Sequence, residues 1–131
     1  MITNLGKASI VVAVFLLSFS SNAQSKWEAP TDAKAIVNPI TIDKTSIKAG
    51  KKMYKQLCAI CHGDKGKGDG LASVALNPKP ANFLSEHVRK QTDGELFWKI
   101  TTGNAPMASY KETLTPTQRW QLINFINTLK N

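Results

Sequence analysis

The sequence predicts an all-α fold: a small domain of three main helices, with long loops wrapped around one bound group. Helical periodicity or capping signals mark three segments, at 46–58, 92–103 and 115–129. No segment shows the alternation of a strand. Loops rich in Gly and Pro, at 63–70 and 77–82, separate the helices. A domain as small as residues 46–131 has only a marginal hydrophobic core of its own. Loops this long in so small a domain predict a bound group around which they fold.

The first helix begins at Ser46, which can act as its N-cap, and runs towards Cys58. Four residues fall on one face of it, at the spacing i, i+4, i+7 and i+11: Gly50, Tyr54, Leu57 and Cys61. The lysines of the segment fall on the other face. The pattern predicts an amphipathic helix.

Two capping boxes open the second and third helices. Thr92 and Glu95 form the first box, and Gly103 can end the helix that follows. Thr115 and Gln118 form the second box, with proline at the favoured first position between them. The third helix places its apolar residues at i, i+3, i+4 and i+7: Leu122, Phe125, Ile126 and Leu129.

The N-terminus has the pattern of an export signal. An apolar run at 8–19 is shorter than the roughly 20 residues that a membrane span needs, and small residues precede a cleavage point after Ala23. We predict a signal peptide at 1–23, with an uncleaved membrane anchor as the alternative. Residues 24–45 carry two prolines and no helical period. This predicts an extended arm or linker before a domain at 46–131.

The chain carries 17 Lys+Arg against 9 Asp+Glu, a net charge of +8. Nucleic acid, an acidic protein partner and a solvated surface all fit such an excess, and charge alone does not separate them. Two cysteines cannot form the framework of a disulfide-rich mini-protein. The periodic apolar blocks exclude a wholly disordered chain.

The segment Cys58-Ala59-Ile60-Cys61-His62 is a C-x-x-C-H motif, the pattern of covalent haem attachment. Thiols three residues apart lie about one helical turn from each other, so both can add to the vinyl groups along one side of a haem. His62 follows directly, which places its ring under the iron as the proximal ligand. The motif predicts one covalently bound haem c with its iron.

Three other interpretations of the two cysteines are weaker. A thiol–disulfide oxidoreductase carries its C-x-x-C near a βαβ pattern, which is missing here. A structural zinc site needs four ligands, and His87 is the only further His or Cys in the sequence. A chance match within a core is disfavoured by the export signal, because c-type haem is attached outside the cytoplasm in bacteria.

With these motifs in place, the sequence resembles the class I c-type cytochromes over roughly 46–131. Gly50 and Tyr54 resemble the family's contact between the first and last helices. Phe125 stands on the last helix, where the family places an aromatic residue against the first. The resemblance implies the small cytochrome c fold around one covalently bound haem.

Two loops add to the resemblance. The segment 77–80 resembles the stretch whose proline carbonyl accepts a hydrogen bond from the proximal ring, which assigns that role to Pro80 towards His62. The segment 103–107 resembles the loop that delivers the distal ligand. Many relatives have proline directly after the distal methionine, whereas Ala108 stands here.

The distal ligand is predicted by elimination. Met1 leaves with the signal peptide, and Met53 shares a helix with the attachment cysteines, so it cannot reach the opposite face of the haem. Met107, in a loop between two helices, is the predicted ligand. His87, which would give bis-His ligation, and an open site are the alternatives. Trp98 and Tyr110 are predicted, with Pro80, to form part of the haem environment.

His/Met ligation raises the reduction potential, because a neutral thioether favours ferrous iron. Two ligands also leave no open position for a substrate. The resemblance therefore implies a periplasmic or otherwise exported electron carrier of a respiratory chain, with no reaction of its own. The alternatives are an electron-transfer subunit of a membrane-associated respiratory complex, with 24–45 as its attachment arm, and a haem-based gas sensor.

Redox proteins, a reductase or a terminal oxidase, are the predicted partners, and nucleic acid is not. Four lysines stand near the attachment motif and can meet an acidic docking surface around the haem edge: Lys55, Lys65, Lys67 and Lys79. Their charge then serves partner encounter as well as solubility.

Overall fold

The computed structural model describes residues 27–130, so the predicted signal peptide lies outside the described residues. In chain order these residues form a 3₁₀ turn at Thr31–Ala35, α1 at Lys44–Leu57, α2 at Ala59–His62, a 3₁₀ turn at Leu71–Ala75, α3 at Glu86–Arg89, α4 at Asp93–Thr102 and α5 at Pro116–Leu129. Apart from one isolated bridge, this part of the chain contains no β-structure. The predicted all-α fold is confirmed. No helix within 27–130 has the length and apolar character of a membrane span.

Helices α1 and α5 form the main helix pair, and Gly50 of α1 lies directly against Gln121 of α5. A Cβ on Gly50 would stand 2.0 Å from the carbonyl oxygen of Gln121, so the approach requires a residue without a side chain. Beside it, the ring centroids of Tyr54 and Phe125 lie 5.1 Å apart. This packing fixes the end of α1, and with it the cysteine motif, against the core.

The prediction that Ser46 caps the first helix is wrong, because Asp43 is the N-cap. The Asp43 carboxylate accepts from the backbone N–H of Ser46 at 2.7 Å, and the Ser46 hydroxyl accepts from the N–H of Asp43 at 3.2 Å. Two helix-terminal donors are satisfied reciprocally, as in a capping box. The helix therefore begins at Lys44.

The two capping boxes predicted for the other main helices are confirmed. Thr92 accepts from the N–H of Glu95 at 3.3 Å, and Glu95 accepts from the N–H of Thr92 at 2.7 Å. The corresponding distances between Thr115 and Gln118 are 3.2 and 2.8 Å. Helix α4 ends at Gly103, whose φ of 65° is a left-handed conformation that favours glycine.

Residues 27–43 lie along the helical body and contact two of its helices. Ala33 is 1% exposed, and its carbonyl oxygen would stand 2.0 Å from a Cβ added to Gly94 of α4. The Asn38 amide donates to the side-chain oxygen of Asn124 in α5 at 2.7 Å. The segment contains a 3₁₀ turn that the sequence did not predict, and polar and apolar contacts hold it to α4 and α5.

Candidate functional site

A cavity of about 480 Å³ lies among the cysteine motif, α3, α4, α5 and the loops between them. Its volume is in the range of cofactor pockets, about 300–1,000 Å³, and its lining is mostly apolar. Six residues considered above as haem attachment points, iron ligands or support for a ligand line it: Cys58, Cys61, His62, Pro80, His87 and Met107. Cys58 and Met107 are 49 positions apart in sequence (107 − 58), and their side chains thus line the same cavity.

The cysteine motif forms one compact turn at the wall of this cavity. The N–H of His62 donates to the carbonyl of Cys58 at 2.8 Å, and the N–H of Gly70 donates to the carbonyl of Cys61 at 3.1 Å. Gly63 follows with a φ of 79°, which ends the turn and which glycine adopts readily. The turn presents both thiols and the imidazole to the same space.

The ring of His62 is held by a backbone carbonyl. Its Nδ1 lies 3.1 Å from the carbonyl oxygen of Ala81, and because a carbonyl only accepts, Nδ1 carries the proton. The lone pair is then on Nε2, the nitrogen that can ligate a metal. The predicted acceptor, Pro80, is wrong by one residue, although Pro80 itself lines the cavity.

Packing fixes the orientation and charge of His62. Its ring stacks on Phe83, with centroids 4.8 Å apart and planes 20° apart. Burial lowers the pKa of His62, and the hydrogen bond to Ala81 opposes this only in part. The imidazole is therefore held neutral, which is the form that binds iron.

The two cysteines are free thiols that lie three residues apart in the lining. Burial, helped by the charge of Cys61, raises the pKa of the Cys58 thiol to about 12. Thiol–disulfide oxidoreductases depend on a thiolate whose pKa is lowered. The electrostatics of Cys58 thus disfavour that alternative.

Met107 lies in a tight turn after α4. The N–H of Asn104 donates to the carbonyl of Met107 at 3.0 Å, and the N–H of Met107 donates to the carbonyl of Asn104 at 2.9 Å. A Cβ on Gly103 would stand 2.5 Å from the backbone nitrogen of Ser109, so the loop closes on itself at this glycine. The side chain of Met107 packs partly buried on the core and lines the cavity.

The other candidates for the distal ligand are placed differently. Met53 lines a separate groove with Ala49 and Gln121, away from the cavity. His87 does line the cavity, from α3, but its side chain is exposed. The structure therefore leaves Met107 and His87 as the two candidates at the cavity.

Two residues predicted for the haem environment do not line the cavity. Tyr110 donates its hydroxyl to the carbonyl of Leu57 at 3.1 Å, which ties the Met107 loop to the end of α1. Trp98 lies against Trp27, with ring centroids 6.3 Å apart. Both support the walls from outside.

Three further residues that the sequence did not indicate as site residues also line the cavity: Trp27, Gln91 and Lys99. A signal existed for Lys99, because it lies three residues after Leu96 and therefore on the same, apolar face of α4. Trp27 comes from the N-terminal arm, and no local pattern connects it with α4.

The residues present fit a haem joined through two thioethers. Both thiols, one neutral imidazole and one thioether side chain line a single mostly apolar cavity of suitable volume. Among the described residues of the lining, none is Asp or Glu. The donor set matches the nitrogen and sulfur ligands of haem iron.

Comparisons with known proteins agree with this chemistry. The profile of the family described as cytochrome c oxidase, cbb3-type, subunit III matches residues 45–126. The chain is similar to part of the reducing HAO-like protein complex Kustc0457/Kustc0458 of Kuenenia stuttgartiensis, with 28% identity and a TM-score of 0.64 over 73% of this chain and 50% of that one. It is also similar to the c-type cytochrome KustC0563, with 28% identity and a TM-score of 0.54 over 63% of this chain and 98% of that one. A search of curated proteins gave no match. The chain thus spans half the length of the first of these two structures.

Proposed function

The chain belongs to the cbb3-type cytochrome c oxidase subunit III family of c-type cytochrome domains, which carry covalently bound haem c, and from this premise we propose that it transfers single electrons between redox partners. The observation that carries the proposal is the shared cavity of Cys58, Cys61, His62 and Met107. When bound, haem c supplies an iron that takes up and releases one electron.

Each of these four residues has one role. Cys58 and Cys61 would form the two thioether bonds, and His62 would offer Nε2 to the iron while the carbonyl of Ala81 holds Nδ1. Met107 offers its sulfur as the distal ligand. The neutral thioether favours ferrous iron and therefore raises the reduction potential.

Met107 is the stronger distal candidate because its surroundings fix it. The paired hydrogen bonds with Asn104 and the close approach at Gly103 hold the loop in one shape. His87 is exposed on α3, a helix of one turn, so ligation by it would cost the ordering of an exposed side chain. With two protein ligands the iron has no position for a substrate, which suits electron transfer better than gas binding.

The surface beside the cysteine motif supports a protein partner. Leu71 and Val74 are 82% and 80% exposed on the 3₁₀ turn that packs against α2, and Ile60 of the motif is half-exposed. Lys65 and Lys67 are exposed in the adjoining loop. The same loop carries exposed Asp64 and Asp69, so an apolar centre with charges of both signs at its edge suits a redox protein whose docking surface is apolar at its centre and charged at its rim.

The N-terminal 23 residues supply the export that c-type haem attachment needs. The proposed location is therefore the periplasm or another compartment outside the cytoplasm. The mature chain would begin just before the arm whose residues 27–43 lie on α4 and α5.

A second candidate function is that of an electron-transfer subunit within a larger complex. The family name and the membership of one structural neighbour in a protein complex favour it. The two candidates share the same haem chemistry and differ in whether the protein copurifies with a stable partner.

Spectroscopy and a redox titration of the purified holoprotein test the proposal. The wild-type protein should titrate as one reversible one-electron couple, and its ferric form should show the weak red absorption band of a sulfur–iron bond. Met107→Ala should lose that band, lower the potential and gain binding of carbon monoxide. Met53→Ala, which changes a methionine outside the cavity, is the control. It should keep the red band and the wild-type potential, and it should not bind carbon monoxide. An unchanged spectrum in Met107→Ala, with loss of ligation in His87→Ala, would show that His87 is the ligand.

A further inference from the structure

Lys99 reaches the cavity from α4 and is the centre of a small polar group on its wall. Its Nζ donates to the side-chain oxygen of Gln91 at 2.8 Å and lies 5.3 Å from the ring centroid of Trp27. All three residues line the cavity. An amide oxygen and an aromatic face hold the ammonium group in place, but neither of them neutralises its charge.

The ammonium of Lys99 has no carboxylate at ion-pair distance among the residues that the structure describes. Glu95 and Glu28 are near enough to act on its charge, but neither forms an ion pair with it. Glu95 instead lies 3.9 Å from the Nζ of Lys34. Burial lowers the pKa of Lys99. A half-buried cation beside a mostly apolar cavity is costly unless an anion joins it.

The other lysine of the lining already has partners. The Nζ of Lys79 donates to the carbonyls of Ser73 and Val74 at 2.8 and 3.1 Å. These carbonyls belong to the 3₁₀ turn that packs beside the cysteine motif. Lys99 stands on a different wall, on α4, and no Asp or Glu of the described chain lines the cavity. The site around Lys99 thus favours an anionic group on the bound molecule.

Haem carries two propionate carboxylates on the side of the ring away from its vinyl groups. Thioether bonds to Cys58 and Cys61 would place the vinyl side at the cysteine motif, so the acid groups would point away from that motif. We propose that Lys99, positioned by Gln91 and Trp27, pairs with a haem propionate. The pair goes beyond the proposed carrier function, because it concerns how this chain holds its cofactor and depends only on the haem.

The pair affects the iron as well as the position of the haem. A nearby positive charge that neutralises a propionate favours ferrous over ferric iron. Lys99→Gln in the holoprotein should therefore raise the ferric-to-ferrous ratio at a fixed potential by about tenfold. For one electron this corresponds to a fall in midpoint potential of about 59 mV. Lys99→Arg keeps the charge and should restore most of the difference.

Lys44→Gln is the matched control, because it removes the same charge from an exposed position at the start of α1. It should leave the ferric-to-ferrous ratio at a fixed potential almost unchanged, because exposed charges are strongly screened. Equal potentials for Lys99→Gln and Lys44→Gln would overturn the proposal. So would a Lys99→Arg variant that shifts as far as Lys99→Gln, because that result would indicate a packing effect.

Proton NMR of the ferrous wild-type holoprotein tests the same contact without a variant. Nuclear Overhauser effects are expected between the side-chain protons of Lys99 and the propionate methylene protons. This measurement decides the question even if Lys99→Gln fails to hold haem. Contacts from Lys99 to other haem substituents, with none to the propionates, would contradict the proposal.

Discussion

The hydroxyl of Tyr54 donates to the carbonyl oxygen of Gly63 over 2.6 Å, and this bond joins α1 to the residue that follows His62. Tyr54 is fully buried and also packs against Phe125 of α5 and Phe83, the residue that stacks on His62. One side chain therefore connects the main helix pair with the support of the proximal ligand.

Tyr54→Phe should destabilise the holoprotein by about 1–3 kcal/mol, because it leaves the carbonyl of Gly63 buried without its donor. Denaturant unfolding measures the difference. Tyr110→Phe is the matched control, since it removes a longer, partly buried bond to Leu57. It should cost less, about 0.5–1.5 kcal/mol. A Tyr54→Phe protein as stable as the wild type would show that water replaces this donor.

Tyr54 should also make the free energy of unfolding fall as the pH rises through the alkaline range. Burial, with the nearby negative charges of Asp64 and Asp69, raises the pKa of Tyr54 above the ordinary tyrosine value of about 10. Above that pH the unfolded tyrosine loses its proton while the folded one keeps it, so the unfolding free energy falls as pH rises. The stability difference between wild type and Tyr54→Phe should shrink from pH 9 to pH 11, at about 1.4 kcal/mol per unit at most. A constant difference would show that Tyr54 titrates normally in the folded protein.

Gly50→Ala should destabilise the contact between α1 and α5. The new Cβ would stand 2.0 Å from the carbonyl oxygen of Gln121, a backbone atom that cannot move alone. Overpacking of this kind costs about 1–3 kcal/mol or more, which outweighs the roughly 1 kcal/mol that alanine gains in a helix. Thermal unfolding of the variant tests this. Lys51→Ala, at the next and exposed position, should change stability by less than about 0.5 kcal/mol.

The exposed lysines beside the cysteine motif should control electron exchange with anions. Replacing both Lys65 and Lys67 by Glu should slow reduction of ferricyanide by about tenfold at low ionic strength, because the loop, which already carries Asp64 and Asp69, becomes strongly negative and repels the anion. The effect should vanish near 1 M salt, where the Debye length is about 3 Å. Lys44 lies at the other end of α1, about 20 Å along the helix from Leu57. Lys44→Glu should therefore have little effect on the rate of ferricyanide reduction. Equal slowing by the Lys44 variant would assign the effect to net charge.

The fold was largely predictable because its strongest signals are local. Capping boxes at Thr92 and Thr115 each satisfy helix-terminal donors within four residues, so the sequence shows them directly. The spacing of Gly50 and Tyr54 likewise predicts the face that meets α5. The first N-cap was misplaced because Asp43 and Ser46 are both good capping residues, and only their reciprocal bond shows which one stands outside the helix.

The candidate site was predictable where one motif carries the chemistry and not where distant segments meet. The cysteine motif fixes its three residues by spacing alone. The acceptor for His62 is Ala81 rather than Pro80, because the path of a loop rich in proline decides which carbonyl faces the ring. The group around Lys99 joins the N-terminal arm to α4, and such a contact leaves no periodic signal.

Intact-mass spectrometry of the exported, purified protein tests the central claim most directly. We expect the mass of the chain cleaved after Ala23 plus one haem, bound through Cys58 and Cys61 and retained in denaturant, with no thiol open to alkylation. A colourless protein with the mass of the bare polypeptide, in which both cysteines react with an alkylating reagent, would contradict the account.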